Sequence, residues 1–168
     1  DRLRELTHPE TATERKSASV AGSLDEEQSG VETTHFSVVD AEGNAVSNSY
    51  TLNLRYGSKW SVEGAGFLIN GSMDAFAFSI GKANYFGIAG SVPNLFAARK
   101  RPASNMAPVL VTDKNEVVMA LGTPGGPAIP TTLASVLLAT IAHGSEPADS
   151  VRRGRLHHQG WPDVLYRE

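Results

Sequence analysis

Residues 31–54 read VETTHFSVVDAEGNAVSNSYTLNL. The reading of this stretch decides the fold. HFSVVD and AVSNSYTLNL are rich in β-branched and aromatic residues, and the AEGN between them carries turn residues. The stretch therefore predicts an antiparallel hairpin whose first strand opens on Thr33, Thr34 and His35. The residues before it are of another kind. Residues 1–30 are polar and poor in aromatics, and ASVAGSLDEEQSG reads as a linker or loop. DRLREL, at the very start, reads as a short helical end.

Outward from the hairpin, SVEGAGFLING predicts turns around a short strand at residues 66–69. Residues 74–97 are Gly-rich and mixed, and read as loop. APVLVTDKNEVVMALG predicts a second hairpin: Val109–Thr112, a DKNE turn, and Val117–Leu121. TPGGP follows, then a helix from about Thr131 to His143 ended by Gly144. SEPADSVRRG fits a second helix with Ser145 as a cap, and RLHHQGWPDVLYRE reads as extended. Strands in pairs with a helix after the second pair argue for an antiparallel sheet with helices on one side, an α+β chain.

Composition narrows the function classes. The chain has 168 residues, 40% apolar and 20% charged, with a net charge of −3. That is a globular balance with no basic footprint for nucleic acid and no polybasic run for a membrane surface. The longest apolar run, Leu133 to Ala142, is broken by Ser135 and Thr140, well short of the ~20 residues of a membrane span. With no cysteine, thiolate catalysis, disulfides and Cys-based metal sites are excluded. The charged start carries no signal-peptide pattern. Without an initiator Met, and with VLYRE at its end, the chain reads as a piece of something longer.

Four features could carry chemistry. A threonine is a weak nucleophile until a base adjoins it, and as the first residue of a chain its own α-amino group is such a base. A linker running into Thr33 at a strand start suits a chain made by cleavage; the plainer reading is two β-branched strand starters. TPGGP, residues 123–127, opens a helix, where glycines let backbone N–H groups face an oxyanion; alone it is a turn. KRPASNM places Ser104 and Asn105 before an apolar strand, where turn chemistry is the simple account. His157, His158 and Gln159 make a poor chelate, since neighbours on a strand point to opposite faces. His35 has no partner at ligand spacing, so no metal site is expected.

Taken together, TTHFSVVDAEGNAVSNSYTLN, LINGSMDAF, KRPASNMAP, GTPGGP and RLHHQGWPD stand in the order found in the γ-glutamyltransferase family, which this chain resembles from Thr33 to Asp163, about 130 residues. The resemblance implies an N-terminal-nucleophile hydrolase fold, an αββα sandwich present in part. It implies a precursor that cuts itself at Glu32–Thr33. Residues 1–32 would then be the tail of the large subunit and residues 33–168 the catalytic portion of the small one, with the large subunit as partner. Thr33 would be the nucleophile and Thr51 the threonine that holds it. Gly125 and Gly126 would form the oxyanion hole. Asn53 would bind the glutamyl amino group and Ser104 the glutamyl carboxylate, with Asn105 in place of a second serine.

The resemblance has departures. Ser72 and Ala75 stand where the family has its amino-group ligands, with Asp74 at the neighbouring position. Pro127 and Ala128 replace a small polar residue and an arginine after the glycine pair. The resemblance thus implies acyl transfer from a glutathione-type donor to water or to an amino acid or peptide, without a cofactor, in the periplasm or outside the cell. A glutaryl amidase similar to the cephalosporin acylases is an alternative, and a non-catalytic relative a third.

Overall fold

The computed structural model describes residues 33–160 and 163–167, together with the backbone of Ser19 and Val20. The expected DRLREL helix and the residue Glu32 lie outside the described residues. In chain order the strands are β1 (Ser19–Val20), β2 (Thr33–Val39), β3 (Ala45–Thr51), β4 (Val109–Asp113), β5 (Glu116–Leu121), β6 (Leu156–His157) and β7 (Val164–Arg167). The helices are α1 (Ile129–Leu137) and α2 (Pro147–Arg152). The linker reading is corrected at one point: Ser19 and Val20 form a short strand, parallel to Val164 and Leu165 of β7.

β2 and β3 form the expected hairpin, in a register that pairs Thr33 with Thr51 and Val39 with Ala45. The Asp40 carboxylate organises its turn. One oxygen accepts the backbone N–H groups of Glu42 (3.1 Å) and Asn44 (2.8 Å), and the other accepts the Asn44 side-chain amide at 2.8 Å. Gly43 supplies the positive φ of +85° that this turn requires. These hydrogen bonds, the Asn44 side chain foremost, hold the Asp40 pKa below its ordinary value of 3.8. β3 stops at Thr51, short of the predicted Leu54. Asn53 adopts φ +73°, which leaves the sheet, and its N–H goes to the Thr51 hydroxyl.

The second hairpin joins β4 and β5 through Lys114 and Asn115, both at positive φ (+48° and +72°), as a two-residue turn demands. The register shifts between Val111 and Thr112, a bulge. The strand predicted at residues 66–69 reduces to one isolated bridge between Ser61 and Leu68. Turns of the 3-10 type occupy Ser72–Ala75 and Val92–Asn94.

The two hairpins pack on each other through the polar face of the first. There the Ser47 hydroxyl donates to the Leu121 carbonyl at 3.0 Å. The opposite face carries Phe36, Val38, Val46 and Tyr50, each about half exposed.

α1 begins at Ile129, two residues before its predicted start. Pro130 fits its first turn, where a missing N–H costs nothing. Ile129, Leu133 and Val136 form its buried stripe, continued by Ala139 in the π-helical turn Leu138–Ala142. Gly144 at φ +63° closes it, as expected. Ser145 does not cap α2. The cap position is Glu146, and the Ser145 hydroxyl instead accepts from the Arg153 guanidinium at 2.9 Å. The extended C-terminal segment becomes β6 paired antiparallel with β7. Its His157 joins α1 through Thr131, with Nδ1 and Oγ1 2.9 Å apart.

Candidate active site

The site starts at the open end of the first hairpin. Because Thr33 and Thr51 are directly opposite, their side chains share a face, and the Thr33 hydroxyl donates to Thr51 Oγ1 at 3.2 Å. Thr51 Oγ1 also accepts the Asn53 N–H at 2.8 Å. Asn53 is 9% exposed, and its side-chain amide donates to the Gly71 carbonyl at 3.2 Å. Gly71 returns an N–H to the Leu52 carbonyl at 2.8 Å. The end of β3 is thereby tied to the turn that carries Ser72, Asp74 and Ala75.

Two asparagines that the sequence reading passed over hold the remaining walls. Asn84 Oδ1 accepts the N–H groups of Phe86 and Ile88, both at 3.0 Å. Asn94 donates to the Ala75 carbonyl at 2.8 Å and accepts the Ala103 N–H at 3.0 Å. The second asparagine therefore sets Ala75 beside the Ser104–Asn105 segment. Each of these asparagines sits in a stretch rich in turn residues, and nothing local distinguishes it from an ordinary turn former.

These walls enclose a cavity of about 490 Å³. Thr33, Thr51, Asn53, Ser72, Asp74, Ser104, Asn105 and Gly126 all line it. Eight of the residues singled out from sequence thus meet at one space. Gly125 adjoins it: with φ +137° it precedes Gly126 at φ +53°, and its carbonyl accepts the Ala128 N–H at 3.0 Å. Positive φ at both residues turns the backbone sharply into α1, a conformation that glycine adopts at little cost. Ala75 also lines the cavity, and among the described lining residues the charged side chains are Asp74 and Lys82. Asp74 accepts one backbone N–H, from Tyr85 at 3.4 Å.

The histidines are distributed elsewhere. His157 faces Thr131 and Gln159, and His158 pairs with Asp163 at 2.8 Å. His35 lies between two serine hydroxyls. Among the described residues, no three His, Asp or Glu side chains gather as a metal site would require.

The arrangement can hold a threonine hydroxyl against a second hydroxyl, in the wall of a cavity that a glycine-rich helix entry also lines. Comparison with known proteins bears on what it is. The family described as gamma-glutamyltranspeptidase matches residues 1–168. A glutathione hydrolase proenzyme of Pseudomonas aeruginosa is 46% identical over 136 residues, which is 80% of this chain and 24% of the relative. The Escherichia coli protein of the same name is 38% identical over 134 residues, 80% of this chain and 23% of that one. The chain thus spans about a quarter of the length of these curated relatives.

Among solved structures, a gamma-glutamyltranspeptidase from Pseudomonas nitroreducens complexed with L-DON superposes with a TM-score of 0.74 at 46% identity. The match covers 77% of this chain and 67% of that one. An acivicin-inhibited gamma-glutamyltranspeptidase, whose C-terminus has critical roles in autoprocessing and catalysis, gives 0.75 at 43% identity, over 79% and 70%. The architecture is accordingly the α+β fold of the N-terminal-nucleophile hydrolases, present in part.

Proposed function

The chain belongs to the gamma-glutamyltranspeptidase family, and on that footing we propose that it carries the nucleophile of a self-cleaving γ-glutamyl transferase and hydrolase. The observation that carries the reading is the Thr33 hydroxyl, 3.2 Å from Thr51 Oγ1 at the wall of the cavity. In maturation, Thr33 Oγ attacks the Glu32 carbonyl carbon and the Glu32–Thr33 C–N bond breaks. Water then opens the resulting ester, leaving a carboxylate on Glu32 and a free amine on Thr33. In turnover that amine takes the hydroxyl proton as Oγ attacks the donor's γ-amide carbonyl. The developing oxyanion faces the N–H groups of Gly125 and Gly126. The amide C–N bond breaks and the proton passes to the leaving amine. The acyl-enzyme then passes to water or to an amino acid or peptide.

Asn53, Ser72 and Asp74 would face the donor's amino end, and Ser104 with Asn105 its carboxylate. Residues 1–32 would belong to the large subunit and residues 33–168 to the small one. The partner is then the rest of the same precursor. The half-exposed Phe36, Val38, Val46 and Tyr50 support this, because an apolar sheet face of that kind marks an interaction surface. A periplasmic or extracellular setting fits the family. Among the described residues, no helix is long and apolar enough to cross a membrane.

Ala75 in the cavity wall favours a second reading, an amidase for an acyl group without the α-amine, such as glutaryl. Loss of a charged partner for an ammonium should weaken its binding by about 10- to 150-fold. The names of the relatives favour the glutamyl reading. Ala75→Asp separates the two: glutamyl donors gain in kcat/KM under the first reading and stay flat under the second. The parent test is the mass and N-terminal sequence of the small chain purified from the full-length protein. A start at Thr33, lost in Thr33→Ala together with all turnover, is the expected result. An intact Glu32–Thr33 bond in the folded wild-type protein would overturn it.

A further inference from the structure

The inner face of the first hairpin is a ladder of polar side chains. Below the Thr33–Thr51 pair comes His35 opposite Ser49, and below that Ser37 opposite Ser47. His35 Nδ1 lies 2.9 Å from Ser49 Oγ, and Nε2 lies 3.0 Å from Ser37 Oγ. With both ring nitrogens engaged, the imidazole cannot rotate without losing a hydrogen bond.

The ring meets the chain just past the second hairpin. A Cβ built on Gly122 would fall on the atoms of the His35 ring, so the Gly122 backbone lies flush against it. One residue earlier, the Ser47 hydroxyl holds the Leu121 carbonyl at 3.0 Å. The ladder therefore grips the chain where it leaves β5, a few residues before Gly125 and Gly126. His35 is absent from the cavity lining. It cannot touch a donor there, and any effect on chemistry must pass through the backbone it supports.

We infer that His35 is a positioning residue: its ring, pinned by Ser37 and Ser49, sets the spacing between the Thr33 hydroxyl and the Gly125–Gly126 amides. Gly122 is its required counterpart, because any side chain there would push the strand end off the ring. The inference rests on Thr33 as nucleophile and on the glycine pair as oxyanion hole. Its consequence is kinetic. A displacement of about 1 Å between nucleophile and oxyanion donors can cost about 100-fold in rate. A remote donor pocket is left unchanged, so kcat should fall while KM holds.

The test uses the full-length precursor with a γ-glutamyl anilide as probe. The variants are His35→Ala, Gly122→Ala, the double variant, Ser47→Ala and Thr33→Ala. The readouts are the rate of cleavage before Thr33, kcat and KM of the processed enzyme, and the thermal midpoint as a check of folding. His35→Ala should slow cleavage and lower kcat by about 10- to 100-fold, with KM within about twofold. Gly122→Ala should do likewise. In the double variant the added methyl occupies space the ring has left, so the losses should be less than multiplicative by at least about fivefold. Should His35→Ala fail to fold, Ser47→Ala decides, with an expected kcat loss of about fivefold or more. Folded His35→Ala, or failing that folded Ser47→Ala, with kcat within about twofold of wild type overturns the inference, as does a strictly multiplicative double variant. Thr33→Ala separates the two levels. If it remains active, the nucleophile reading itself fails. If it is dead while His35→Ala is normal, only the positioning role fails.

Discussion

Replacing Thr51 by Val removes a hydroxyl and keeps the shape. That hydroxyl accepts two hydrogen bonds, from the Thr33 hydroxyl at 3.2 Å and from the Asn53 N–H at 2.8 Å. The two losses act on different quantities. The Asn53 N–H belongs to a residue that is 9% exposed, and a buried donor left without its acceptor costs about 1–3 kcal/mol of stability. The Thr33 hydroxyl loses the partner that orients it. An ordinary hydrogen bond contributes about 1–1.5 kcal/mol at the upper end of its range, which as a barrier is a rate loss of roughly 5- to 13-fold.

The assay pairs urea unfolding of the full-length protein with two rates, cleavage before Thr33 and turnover of a γ-glutamyl anilide. Thr51→Ser is the control. It keeps the acceptor and loses one methyl, so both rates should stay within about threefold of wild type. A folded Thr51→Val protein with both rates within about twofold of wild type would show that the 3.2 Å contact orients nothing. Equal damage from Ser and Val would move the role of Thr51 from its hydroxyl to its methyl.

Three further outcomes are expected. Asn53→Ala should destabilise the protein by about 2–3 kcal/mol in urea titration. It loses the hydrogen bond to Gly71 and strains an alanine at φ +73°, whereas Asn53→Gly, which is free of that strain, should lose only about 1 kcal/mol. Gly57→Ala should cost about 2–5 kcal/mol, measured the same way, because Gly57 sits at φ +59° and its added carbon would strike the Ile69 carbonyl. Asp40 titrates below its ordinary value of 3.8 in the folded protein, so its contribution to the hairpin turn is fully present above that pH and lost as pH falls through the lowered value. With each amide's intrinsic exchange rate divided out, protection at Glu42 and Asn44 should therefore fall as pH drops through that lowered value, and Asp40→Asn should remove this loss of protection.

What was legible from the chain was what local rules govern. The two hairpins could be read because strand alternation and turn residues act over a few positions: Gly43 in one turn, Lys114 and Asn115 in the other. The helix after TPGGP could be read, and its end from Gly144, but not its start at Ile129. Where local rules competed with tertiary contacts, they lost. Leu52 to Leu54 look like strand, yet Asn53 turns out of the sheet because the Thr51 hydroxyl and the Gly71 carbonyl offer its two donors better partners. Ser145 looks like a cap, yet it serves Arg153.

The sequence by itself determined that a hairpin opens on Thr33; its register, with Val39 rather than Asp40 opposite Ala45 and hence Thr33 opposite Thr51, was decided by the turn that the Asp40 carboxylate closes. The sequence also carried the motifs that mark the family. Only the tertiary structure decided that residues 51, 53, 72, 74, 75, 84, 94, 104, 105 and 126 close on one cavity. The same holds for His35, whose ring fills the place a side chain at position 122 would take. Those contacts join segments tens of residues apart through loops without regular periodicity. Closing such loops depends on side-chain hydrogen bonds, such as those of Asn84 and Asn94, that leave no pattern along the chain.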